Sequence, residues 1–138
     1  MSKPIAPATG IAFAFPDVCK TPTPGGPVPI PYPNIAQLDQ ATGVSNDAGK
    51  ALLIGPSSFP AMLMDAEVAV TTGDEAGSAG GVTSGTIKGR CVVTQASGSV
   101  IYGGSSKGIA RFLDTTSHNN DNAQGMLLSA FPTVLVGD

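Results

Sequence analysis

Charge is what this chain has least of. Asp, Glu, Lys and Arg make up only 12% of its 138 residues, about half the usual share. The seven Lys and Arg are scattered and the net charge is −3. No basic patch exists to gather phosphates, which excludes electrostatic nucleic-acid binding. Tryptophan is absent and there is one histidine, His118. A nucleophile activated by a base needs that histidine beside a Ser or Cys and an orienting third group, and no nucleophile elbow is present. Asp74 and Glu75 are neighbours that face opposite ways in an extended chain, so they make no acid–base pair. Lys88 follows a glycine-rich run, but no helix follows it, as a phosphate-binding loop would require. Two cysteines, Cys19 and Cys91, stand far apart and read as buried free thiols in a reducing compartment. No stretch approaches the roughly 20 apolar residues of a membrane span. The apolar run from Ile11 to Phe15 is too short for a signal peptide and ends at Pro16. The expectation is a protein made in the cytoplasm without stable membrane insertion, which leaves the cell only if something carries it.

Glycine and proline, in contrast, are abundant, with 18 and 12 copies. Disorder does not follow, because 41% of the residues are apolar and they fall in short β-branched and aliphatic runs. The chain reads as one all-β domain over residues 1–138, built from short strands and Gly/Pro-rich turns. Expected strands are Ile11 to Phe15, Cys91 to Thr94, Ser99 to Tyr102, Ile109 to Leu113 and Thr133 to Val136. Asn34 to Gln40 reads as a turn of helix or a strand, and Ala61 to Met64 as a buried strand or a short helix. Gln40 to Lys50 reads as a loop. The spacing of strands and turns fits an antiparallel meander or a tapering cone. His118-Asn119-Asn120-Asp121-Asn122 is a turn whose residues tolerate left-handed backbone.

Phe15 to Asn34 organises the chain. It holds seven prolines, and Pro27, Pro29, Pro31 and Pro33 alternate strictly. Each removes a backbone donor and forces its predecessor out of the helical region. Such a segment fits an edge strand, with Val28, Ile30 and Tyr32 on one face against a core and prolines guarding the other edge. A polyproline linker recognised by SH3-like grooves is the alternative.

The string from Asp17 to Asn34, containing Pro29-Ile30-Pro31-Tyr32, resembles the signature of the PAAR-like family of DUF4150 type, also called PIPY proteins. Thr72-Gly73-Asp74-Glu75-Ala76-Gly77, Gly80-Gly81-Val82 and Ser84-Gly85-Thr86-Ile87-Lys88-Gly89 are similar to its central segment. Thr116-Ser117-His118-Asn119 with Asn122-Ala123 is similar to its C-terminal one. The resemblance implies a small conical β-domain, non-enzymatic, that caps and sharpens the spike of a contractile injection system such as type VI secretion. It implies one copy on a VgrG-type spike trimer, an effector or toxin as a further partner, and export on the injection apparatus. Phe131 to Val136 reads either as an apolar docking patch or as the last core strand. A stand-alone small β enzyme or ligand-binding domain is the alternative function.

PAAR-type tips hold zinc, and Cys19 and His118 lie in the matched segments. Two readings stand for this pair. In one, Cys19 and His118 bind zinc or iron with further ligands undefined. In the other, Cys19 is simply buried and His118 is hydrogen-bonded within its turn. The Pro-Ala-Ala-Arg sequence is absent, and one histidine cannot supply several ligands. Limited proteolysis separates the readings of the proline stretch: a packed edge strand resists cleavage between Phe15 and Asn34, whereas an exposed linker is cut there first.

Overall fold

The computed structural model describes residues 2–138. Among the described residues there are twelve strands and no α-helix. They are β1 (Lys3–Ile5), β2 (Ile11–Thr21), β3 (Val28–Gln37), β4 (Leu53–Ile54), β5 (Phe59–Pro60), β6 (Glu67–Val68), β7 (Cys91–Val93), β8 (Ile101–Tyr102), β9 (Lys107–Gly108), β10 (Thr115–His118), β11 (Ala123–Leu127) and β12 (Phe131–Val136). Asn34 to Gln40 satisfies both readings, because β3 runs into a 3-10 turn at Leu38–Gln40.

Three apolar segments form the centre. They are Pro4–Ala8, Pro60–Met64 and Gly108–Phe112, and they exchange backbone hydrogen bonds in a ring. Ala6 N–H donates to Ala110 O at 3.2 Å, Ala110 N–H to Met62 O at 2.9 Å, and Met62 N–H to Ala6 O at 2.9 Å. A second ring runs the same way: Ala8 N–H to Pro60 O, Phe112 N–H to Pro4 O, and Met64 N–H to Gly108 O, at 2.7, 2.8 and 2.9 Å. Three isolated bridges, Ile5 with Arg111, Pro7 with Ala61 and Leu63 with Ile109, complete the pattern. The backbone at this level has pseudo-threefold symmetry. Because successive side chains alternate sides, Ala6, Met62 and Ala110 enter one core, while Ile5, Ala61 and Ile109 enter another.

On one side of the ring each segment is preceded by a two-stranded ribbon: β1 with β12, β4 with β5, and β8 with β9. On the other side each segment feeds a strand of one antiparallel sheet, ordered β3-β2-β11-β10-β7-β6. That sheet closes on itself, since Ile35 and Thr72 exchange both backbone hydrogen bonds and Thr42 and Glu67 do the same. Over that length closure removes the free edges. The wall encloses Ala12, Ala36, Leu38, Val68, Val93 and Leu127. Only β2 and β3 run to the far end, where loops cover them, so the domain narrows away from the ribbons.

The prolines of β3 mark where closure stops. Ile35 N–H points to the outer edge and donates to Thr72 O. In a regular strand positions 33, 31 and 29 point the same way, and all three are prolines with nothing to donate. The expected core face of this stretch is corrected: Val28 is exposed and Ile30 and Tyr32 are only half-buried. The same face reaches the interior further along, at Asn34 and Ala36. Ala61 to Met64 and Ile109 to Leu113, expected as strands or a short helix, are chiefly ring segments. β10 and β11 carry no apolar alternation and were not expected.

Leu127 is fully buried in the wall, and its neighbour Leu128 is largely exposed. Leu127→Ala is expected to lower unfolding free energy by about 2–5 kcal/mol in urea denaturation. Leu128→Ala is expected to stay within about 0.5 kcal/mol.

Candidate functional site

The narrow end contains a buried polar hub. β2 brings Asp17 and Cys19, β3 brings Asn34, and the turn after β10 brings Asn119 and Asn122. The glycine-rich loop between β6 and β7 brings Asp74. Asp17, Cys19, Asn34, Asp74, His118 and Asn119 are all fully buried. The loop reaches the hub because two of its residues lack side chains. A Cβ on Gly77 would collide with Cys19, and one on Gly81 with the Asn122 amide. The Asn-rich turn behaves as its composition implies: Asn119, Asn120 and Asp121 all have positive φ.

Asp17 is the centre of this network. Its Oδ1 accepts from Asn119 Nδ2 at 3.3 Å and closely from Asn122 Nδ2, and its Oδ2 accepts from Asn34 Nδ2 at 3.1 Å. The Cys19 thiol lies 3.5 Å from Asp17 Oδ1. Asp74 accepts from Lys88 N–H at 3.0 Å and from Asn34 Nδ2 at 3.4 Å. Burial, and then the Asp17 carboxyl beside it, pushes the Asp74 pKa up to about 6. Burial and the nearby Asp17 charge push the Cys19 thiol up to about 12.

His118 belongs to the same network by another route. Asn34 gives its Nδ2 to the carboxylates, so its Oδ1 accepts from His118 Nδ1 at 2.8 Å. His118 Nε2 is then the acceptor for the Thr116 hydroxyl at 2.7 Å, with the Cys91 thiol at 3.5 Å. The ring is held neutral, its pKa lowered by burial to about 4. Cys91, expected only to pack, is therefore the cysteine beside His118, while Cys19 sits with the carboxylates.

Asp17, Cys19 and Asp74 offer three ligand atoms within 4.8 Å of one another, and they are metal-ligating in kind. A cation nevertheless fits poorly as these atoms are dressed. The surrounding amides aim N–H donors at the same atoms, and both nitrogens of His118 are engaged. Among the described residues, every buried side-chain nitrogen and oxygen has a hydrogen-bond partner, so no orphaned polar atom marks a place for an ion.

The protein-family model described as a toxin PAAR-like domain matches residues 10–125. The chain belongs to the toxin PAAR-like family. This PAAR-like domain is 38% identical over 120 residues to the DNase toxin Tse7 of Pseudomonas aeruginosa, a match covering 81% of this chain and 29% of that protein. It thus spans less than a third of the relative's length. No solved structure matches it. All hub residues of the PAAR-like domain fall within the matched span. The sequence reading singled out Cys19 and His118 and passed over Asp17, Asn34, Asp74 and the asparagine amides. The available signal was their position inside the quoted family strings, since isolated Asp and Asn otherwise read as turn residues.

Two of the shifted groups, Asp74 and His118, have opposite pH effects. The pKa of Asp74 is raised from 3.8, so its contribution to stability is fully present below about pH 4 and is lost as pH rises through 6. The pKa of His118 is lowered from 6.5, so its contribution grows as pH rises from about 4 towards 6.5. In Asp74→Asn only the second remains. The melting temperature of that variant is expected to climb more steeply than wild type between pH 4 and 6; equal slopes would contradict the assignment.

Proposed function

We propose that this domain is the non-enzymatic tip of a contractile injection spike of type VI secretion kind, seated as one copy on a VgrG-type trimer. The observation that carries the reading is the repetition of surface residues around the base. In the three ribbons Leu53 pairs with Pro60, Ile101 with Gly108 and Leu135 with Pro4, at equivalent places relative to the ring. Leu53, Ile101 and Leu135 are 51%, 54% and 63% exposed, whereas their neighbours Ile54, Tyr102 and Val136 are each 4% exposed. One chain thus presents three matching aliphatic side chains around a pseudo-threefold axis. A monomer that must sit on a threefold axis needs such a surface, because every subunit of a symmetric trimer offers the same patch. In this reading Phe131 to Val136 serves both ways, with Val136 packed in the base core and the exposed Leu135 available for docking.

A toxin or effector travels with the tip in this reading, and delivery is by the apparatus. Among the described residues no helix is long and apolar enough to cross a membrane. The DNase activity in the relative's name is not carried over. The one histidine here is buried with both nitrogens engaged, and the low positive charge suits DNA poorly.

Co-expression with candidate spike trimers, followed by native mass measurement, tests the proposal. The expected species is one copy per trimer. Replacing Leu53, Ile101 and Leu135 together by Glu is expected to abolish the complex while leaving the monomer folded by circular dichroism. A folded wild-type chain that binds no trimer overturns the reading.

A further inference from the structure

The resemblance implies zinc at the tip, and three ligand-type atoms are gathered there, yet the groups around them have the wrong polarity for a cation. We infer that the narrow end of this chain closes without a metal, with the locked amides of Asn34, Asn119 and Asn122 taking the cation's place around Asp17.

The orientation of these amides carries the argument. An asparagine can act as a metal ligand only through its oxygen. Asn122 spends that oxygen on the backbone N–H groups of Thr83 at 2.8 Å and Ser84 at 3.1 Å, while its Nδ2 donates to Val18 O at 3.0 Å and to Asp17. Asn119 spends its oxygen on Gly89 N–H at 2.9 Å and the Thr86 hydroxyl at 3.0 Å, and its Nδ2 donates to Thr86 O at 2.7 Å and to Asp17. Turning either amide over would set N–H against N–H and oxygen against carbonyl oxygen. Asn34 is fixed in the same sense between His118 and the two carboxylates.

Three amide dipoles thus converge on one buried carboxylate, and hydrogen bonds of this kind stabilise a buried charge much as a counter-ion does. An ion placed among Asp17, Cys19 and Asp74 would have to displace those N–H groups from positions set by six other residues, Val18, Thr83, Ser84, Thr86, Gly89 and His118. His118 could not join it without releasing Asn34 or Thr116. Two of the loop's close approaches, at Gly77 and Gly81, leave no slack for the hub to open around an ion. A removed structural zinc would leave ligand oxygens or nitrogens without partners; here, among the described residues, every buried side-chain nitrogen and oxygen has one.

The inference is independent of what the base docks against, and its test needs no spike. The full chain, purified without chelator, is assayed for metal by plasma mass spectrometry and melted in excess EDTA, in equimolar zinc and in neither. The expected result is metal far below one per chain and the same melting temperature in all three. Cobalt(II) is expected to give no thiolate charge-transfer band. Asn122→Ala is expected to lower the melting temperature, with no recovery in zinc. Stoichiometric metal, a chelator-induced fall in melting temperature, or a cobalt–thiolate band lost in Cys19→Ala would each overturn the inference.

Discussion

Everything in this fold hangs on two rings of backbone hydrogen bonds. Pro4–Ala8, Pro60–Met64 and Gly108–Phe112 are short and, taken singly, have no regular structure to offer. Together they satisfy one another's donors and acceptors in the middle of the molecule, where an unpaired peptide group would be costly. The rings also divide the apolar residues into two cores and fix the angular positions of the base ribbons and of the wall strands β2, β6 and β10. Damage to one segment is therefore felt on both sides of the ring.

The symmetry is of backbone and not of sequence. Where Arg111 stands, the equivalent positions hold Pro7 and Leu63. The buried Arg111 guanidinium binds the fully buried Asp114, with Nε to Oδ2 at 3.0 Å, and reaches Asp138 Oδ1 at 2.6 Å, while Lys3 Nζ meets Asp114 Oδ1 at 3.0 Å. This ion cluster gives one sector its own identity and ties both ends of the described chain to it. A buried pair of this sort is weak as a source of stability, but losing one partner is strongly destabilising.

The sequence revealed class and organisation more readily than chemistry, for physical reasons. Proline alternation at Pro29, Pro31 and Pro33 announces a guarded edge, because a missing N–H is a local fact. The positive φ values at Asn119, Asn120 and Asp121 are equally local. The ring segments were harder: Ala61-Met62-Leu63 is apolar on every side because it lies between two cores, so no period separates strand from helix. β10 was hidden because Thr116 and His118 point inward to a polar hub, inverting the usual pattern. The hub joins residues up to 105 positions apart, as with Asp17 and Asn122, and depends on which end of each amide is turned inward. No spacing in the chain encodes that.

One sector of the base is assembled from the two ends of the described chain, since the ribbon partner of β1 is β12. The other two ribbons are hairpins that can form as soon as their own residues emerge. During synthesis, then, the wall and two-thirds of the base can be finished while β1 still lacks its partner. Such late closure of a long-range contact is slow relative to local pairing. Until β12 has paired with β1 the base lacks its third contact point, and a partner that reads all three sectors will distinguish an open base from a closed one.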